Sequence, residues 1–226
     1  MNAPPPQGRS PAPGAMASSP GTGAPLLSTR SLSLSFGGVV AADAIDFELQ
    51  AGERLAVVGQ NGAGKTTFIN ICTGYLKPDG GQVFFDGEEI TGRSPREITR
   101  RGIGRSFQLP QVFGEHTVRE CLLIAASARS RREGFLRPLE RSVDADDVDA
   151  TLSLLQLAPR AHDLAAALPE GQRKLLDVAM AMVLQPKLLI MDEPTSGVST
   201  DEKHGLMEVL MRALDERRVT SIFVEH

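Results

Sequence analysis

Two short segments of this chain carry groups that could handle a polyphosphate. In GQNGAGKTT, residues 59–67, Gly59, Gly62 and Gly64 interleave with Asn61 and Ala63 ahead of Lys65, Thr66 and Thr67. Glycines let a backbone curl until its N–H groups point inward at phosphate oxygens, an approach that a Cβ would obstruct. Lys65 adds a positive charge for β- and γ-phosphates, and the Thr66 hydroxyl is a hard oxygen of the kind Mg²⁺ takes. The second segment, KLLIMDE at 187–193, runs four apolar residues straight into two carboxylates. Asp192 would supply a Mg²⁺ ligand, usually through water. Glu193 alternates to the other side, where a carboxylate could polarise a water for attack on a γ-phosphate.

Such groups work only if elements hold them together. The apolar run Leu55, Ala56, Val57, Val58 directly precedes the glycine loop, so the reading is a buried strand, the loop, then a helix starting near Lys65. The positive end of that helix faces the same anion. The run before Asp192 reads as a strand buried on both faces. Between the two lies AALPEGQRKLLDVAMAMVLQP, 166–186, a short loop entering a helix on which Leu175, Leu176, Ala179, Met180 and Val183 recur as a core stripe before Pro186 closes it. Strands are also expected at Ile103–Phe107 and Val219–Val224. Toward the N-terminus, Leu32, Leu34 and Phe36 alternate, as do Ile45, Phe47 and Leu49, giving half-buried antiparallel strands that Val83–Phe85 joins before the turn Asp86-Gly87. Capping-box spacing marks helix starts at Ser94, with Pro95 and Glu97, and at Ser199, with Glu202. The class is α/β.

The composition suits one substantial core, with 226 residues, 41% of them apolar, and a net charge of −4 that argues against a nucleic-acid partner recruited by bulk charge. Seven of the fifteen prolines fall in residues 1–25, which read as a disordered tail without the apolar core of a secretory signal; the folded domain is expected at 26–226. Cys72 and Cys121 sit in apolar helical patterns and read as buried thiols of a reducing compartment. No apolar run approaches a membrane span, so any pore is expected in another chain.

LPEGQ at 168–172 resembles the LSGGQ signature of the ATP-binding cassette (ABC) family, and the resemblance extends over nearly all of Leu26 to His226. It implies a P-loop ABC ATPase fold with a parallel core sheet, an N-terminal antiparallel β subdomain and a helical subdomain inserted at about 114–167, a section that itself reads as helical throughout. Phe36 matches the aromatic that stacks on adenine. Gln108, in GRSFQ, matches the Q-loop glutamine that touches Mg²⁺ or the attacking water and senses the transporter beneath. Gly171 and Gln172 belong to the signature that reaches the nucleotide of an opposite subunit. His226 matches the switch histidine at the γ-phosphate. Three departures stand out. Pro169 and Glu170 replace the serine and first glycine of the signature, Ser199 replaces the D-loop aspartate, and the chain ends at His226, where family members continue. The expectation is a weak signature loop, a preference for a different cassette as dimer partner, and a chain end that is a fragment or premature stop.

Within the family, GRSPREITRRGIGRSFQLPQVFGEHTVRE at 92–120, FGGVVAADAIDFEL and EPTSGVS resemble ATP-binding subunits of branched-chain amino-acid and urea or amide uptake systems. The resemblance implies ATP and Mg²⁺ as ligands, transmembrane permease subunits as partners, a periplasmic solute-binding protein acting indirectly, and a peripheral place on the cytoplasmic face of the inner membrane. The charged stretch 129–141 reads as a solvated face, with anionic lipid as the lesser reading. Competing classes are a soluble ABC-type ATPase of DNA repair or translation and a weakly hydrolytic nucleotide switch or remnant. The first would carry two cassettes or a coiled-coil insertion, neither of which is present.

Overall fold

The computed structural model describes residues 23–60, 62–129 and 144–225. Its first sheet is antiparallel, ordered β2-β1-β4-β5, from β1 (Leu27–Phe36), β2 (Val39–Leu49), β4 (Gly80–Phe85) and β5 (Glu88–Glu89). Two bulges set which residues face the core. In β1, Leu27 and Thr29 are buried, Ser31 adopts φ 47°, and burial then shifts to Leu32 and Leu34. In β2, Ala42 is buried, Ala44 adopts φ 47°, and burial resumes at Phe47 and Leu49. An extra residue in a strand flips every later side chain, so the clean alternation in the sequence holds only on one side of each bulge. The hairpin end leaves Phe36 48% exposed.

The second sheet is parallel, ordered β3-β8-β7-β6, from β3 (Arg54–Val58), β6 (Ile103–Ser106), β7 (Leu188–Asp192) and β8 (Thr220–Glu225). All five residues of β7 are buried, as its unbroken apolar run requires. Leu189 and Met191 join one core with helices α3 (Val118–Ser127), α4 (Ala145–Leu154), α5 (Glu170–Met182) and α6 (Thr200–Arg217). Leu188 and Ile190 face the other, which β7 shares with the antiparallel sheet, α1 (Lys65–Cys72) and α2 (Pro95–Arg101). The fold is thus α/β, a parallel core sheet flanked by helices and joined to an antiparallel sheet.

Several local expectations need correction. Strand β3 is an edge strand in which only Val57 is buried and Val58 is 69% exposed, so the apolar run before the glycine loop is not a buried strand. The strand from Ile103 stops at Ser106 because the Phe107 N–H turns away to donate to Asp177. Residues 114–167 are not helical throughout: the described part holds α3, α4, two single 3₁₀ turns at Ala158–Arg160 and Ala165–Ala167, and a bridge between Thr117 and Leu164. Ser94 and Glu97 form a full capping box, and so do Thr117 and Glu120, a pair the sequence reading missed. Ser199 caps α6 only in position; its hydroxyl donates to Glu202 without accepting a backbone N–H. Cys72 and Cys121 are free and buried, and burial pushes the Cys72 thiol up to about 12. Among the described residues, no helix is long and apolar enough to cross a membrane. Residues 1–22, the basic stretch from 130, Asn61 and His226 lie outside the described residues.

Candidate functional site

Strand β3 ends at Val58 and the chain enters the glycine loop at the carboxyl end of the parallel sheet, the edge where open α/β sheets bind ligands. Gly62 and Gly64 both adopt φ 83°, a left-handed backbone that side chains resist. At Gly64 space is limiting as well: a Cβ would stand 2.3 Å from the carbonyl oxygen of Ala41 in β2. Gly59 differs from expectation, since its φ is not positive and a Cβ there would meet Ala63 at 3.6 Å, an ordinary contact. Lys65 opens α1, and its side chain folds back under the loop. Its ammonium donates to the Gly59 carbonyl and, at 3.1 Å, to that of Gln60, and the residue is only 8% exposed. No acidic residue occupies the first turn of α1, so the helix does not offset its own positive end.

A cavity of about 400 Å³ opens over this loop, lined by Ala41, Gly62, Ala63, Gly64, Lys65, Thr66, Thr67, Gln108 and Glu193. Residues 85 positions apart in the chain therefore share one wall with the phosphate-type loop. Gln108 Nε2 donates to Glu193 Oε2 at 2.8 Å. Glu193 itself sits at φ 48°, a left-handed conformation costly for a residue with a side chain, with its N–H donating to Val224 O at 2.9 Å.

Asp192 does not line the cavity. It is buried at the end of β7, where Arg105 Nη2 donates to its Oδ2 at 3.3 Å. Arg105 also donates from Nη1 to Asn70 Oδ1 at 2.6 Å and Thr73 Oγ1 at 3.1 Å, and lies against the Tyr75 and Phe107 rings. Burial pulls its guanidinium below the ordinary value while the Asp192 carboxylate pushes back. Phe36 lies outside this lining, as do Gly171 and Gln172, which occupy the first turn of α5. Pro169 is the N-cap of α5 rather than its first helical residue, and it offers no side-chain cap. Glu170 Oε2 accepts from Arg173 Nη2 at 2.6 Å, so its charge is partnered within its own helix.

Sequence reasoning missed Arg105, Lys174 and Asp177. Lys174 and Asp177 are buried on α5, at 4% and 6% exposure. Burial lowers the Lys174 ammonium, opposed by Glu170, Asp177, Glu193 and Glu225. Asp177 is pushed up to about 6 by burial, opposed by N–H donors from Phe107 and Gln111. The signal available was their helical spacing next to Leu175, Leu176 and Val178: charged residues three apart on an apolar helix are buried with partners or not buried at all.

The chemistry of the donor set fits a triphosphate with Mg²⁺. The Thr66 hydroxyl and Gln108 amide on the cavity wall are hard oxygen donors, whereas the Asp192 carboxylate, outside the lining and held by Arg105, could reach the ion only through water. Among the described residues, no three His, Cys, Asp or Glu side chains converge into a metal cage.

The ABC transporter family profile matches residues 42–196. A probable branched-chain amino acid transport ATP-binding protein LivG of Archaeoglobus fulgidus is 38% identical over 211 residues, covering 89% of this chain and 79% of that one. The high-affinity branched-chain amino acid transport ATP-binding protein LivG of Escherichia coli is 34% identical over 209 residues, with 89% and 82% covered. Among solved structures, the ADP conformation of MJ1267, an ATP-binding cassette of an ABC transporter, superposes with a TM-score of 0.74 at 31% identity, covering 89% of this chain and 81% of that one.

Proposed function

The chain belongs to the ABC transporter family of ATP-binding subunits, and on that premise we propose that it is the ATPase of an importer for a branched-chain amino acid or a similar small polar solute such as urea or an amide. The carrying observation is the shared cavity, in which the glycine loop, Gln108 and Glu193 face one another. Loop N–H groups and Lys65 would bind the phosphates, and Thr66 and Gln108, with Asp192 through water, would hold Mg²⁺, which would supply positive charge against the charge building up on the phosphates. Glu193 takes the proton of the attacking water, oriented by its hydrogen bond with Gln108. Phe36, at the exposed end of its hairpin, stacks on the adenine. Asn61 and Thr67 complete the loop, and His226 serves the γ-phosphate.

The working unit is a nucleotide sandwich in which each ATP lies between one subunit's glycine loop and the other's signature, contributed here by Gly171 and Gln172. Closure on ATP drives a pair of transmembrane permease subunits, supplied with solute by a periplasmic binding protein, from the cytoplasmic face of the inner membrane. Pro169 lacks both the hydroxyl and the N–H of a signature serine, which favours a heterodimer with a different cassette. The soluble-ATPase and remnant readings have no comparable support.

The experiment is Mg·ATP titration of the full chain and of Lys65→Ala. Losing a charge-assisted contact costs about 1.5–3 kcal/mol, roughly ten- to a hundredfold in affinity. Equal affinity in the two proteins would overturn the phosphate-site assignment. Uptake of labelled leucine and urea by cells carrying either allele then reads the solute class.

A further inference from the structure

The two cavity side chains Gln108 and Glu193 stand on loops that follow different strands, β6 and β7, and beyond the strand ends the sheet keeps hold of Glu193 alone of the two, whose N–H donates to Val224 O at 2.9 Å. What holds both is one buried turn of α5. Lys174 Nζ donates to Gln108 O at 3.0 Å, to Glu193 O at 3.2 Å and to Ser196 Oγ at 3.0 Å. One turn further, Asp177 accepts the Phe107 N–H on Oδ2 at 2.8 Å and the Gln111 N–H on Oδ1 at 2.9 Å. A single ammonium therefore grips the carbonyls of both cavity residues, while a carboxylate fixes the loop of Gln108 on either side of it. An ammonium has three donor hydrogens and no acceptor, and here the three are matched by three oxygens.

We infer that Lys174 and Asp177 are positioning residues that seat Gln108 and Glu193 for hydrolysis and make that seating depend on where α5 stands. The inference deepens the ATPase reading and rests on it. Gly171 and Gln172, in the first turn of α5, face the opposite subunit's nucleotide in the proposed sandwich, and Lys174 follows within the next turn. Movement of the helix on closure is thereby carried to this chain's own Gln108 and Glu193. Neither brace residue lines the cavity, so neither touches nucleotide.

Removing the brace should spoil geometry while sparing nucleotide contact. In the full chain, Lys174→Met should lower kcat at least tenfold while KM and the Kd for Mg·ATP stay within about twofold, since misplaced catalytic groups cost rate rather than binding. Lys174→Arg, which keeps a donor-only cation, should recover at least a third of the lost rate. Asp177→Asn should leave Kd unchanged and speed hydrogen exchange of the Phe107 and Gln111 amides at least tenfold, with amides in the middle of α5 unchanged. A Lys174→Met protein with wild-type kcat overturns the inference. So does one whose Kd and melting temperature collapse along with kcat, with no recovery by Lys174→Arg, because that marks a purely structural pair. Unaltered exchange in Asp177→Asn overturns it without reference to activity. A wild-type chain that binds no Mg·ATP instead defeats the ATPase reading, and the exchange experiment still decides whether the brace exists.

Discussion

Gln108 and Glu193, 85 residues apart in the chain, meet side chain to side chain at 2.8 Å on the wall of one cavity. The contact gives the carboxylate a defined direction, with Oε2 committed to the amide. Glu193→Gln should therefore keep Mg·ATP binding and lower turnover by about a hundredfold or more, the usual contribution of a positioned base. Binding and single-turnover measurements check it, and sustained hydrolysis in the variant would remove Glu193 from the base role.

The signature end of α5 yields a second expectation. Pro169 offers neither hydroxyl nor N–H, whereas the Glu170 charge is met by Arg173 in a half-exposed pair, an interaction worth about 0–1 kcal/mol. Proline is then the greater defect. Pro169→Ser with Glu170→Gly should raise turnover of the chain alone several-fold, most of the gain coming from Pro169→Ser. ATPase rates of both single variants and the double variant, alone and with a partner cassette, test this; no rise in the double variant sinks the asymmetric-site proposal.

Arg105 and Asp192 form a buried pair whose disruption should be severe. Arg105→Met strands a carboxylate that is 5% exposed, and such losses run to about 3–5 kcal/mol. For a domain of this size that is roughly 6–20 °C in melting temperature. Adding Asp192→Asn removes the stranded charge and should restore part of the loss. A double-mutant cycle with strictly additive effects would show that the pair contributes nothing.

Asp177 gives stability a pH dependence with a definite sign. Its folded pKa, about 6, lies above its ordinary value of 3.8, so between these values the native chain binds more protons than the unfolded chain. This contribution to stability therefore falls as pH rises from about 4 to 6, by about 3 kcal/mol in all. Glu97, Glu120 and Asp215 have lowered values and act in the opposite direction. Comparison with Asp177→Asn cancels them. Wild type should lose ground to Asp177→Asn across that interval, and parallel unfolding curves at every pH would refute the assignment.

The parts of the site that are legible in the sequence are those whose chemistry is local. A glycine loop after an apolar run and two acids ending a strand announce themselves because each needs only its neighbours. The same holds for β7, whose full burial follows from an unbroken apolar run, and for the Ser94 cap. The partners of Arg105, Lys174 and Asp177 were illegible because they lie 19 to 87 positions away. The bulges at Ser31 and Ala44 were missed for another reason: each shifts facing by one residue within a strand whose backbone otherwise runs on. Serine and alanine carry no special preference for a left-handed backbone that would flag them.

The Ala41 carbonyl stands where a side chain on Gly64 would have to go. The hairpin and the loop at the foot of α1 thus abut with no room for an atom between them, and Ala41 also belongs to the cavity wall. Warming that frays the hairpin would slacken the anion cradle in the same event. Solutes that bind the cradle, inorganic phosphate or pyrophosphate included, should in turn stiffen the whole β-ribbon, although it meets their site only at Ala41.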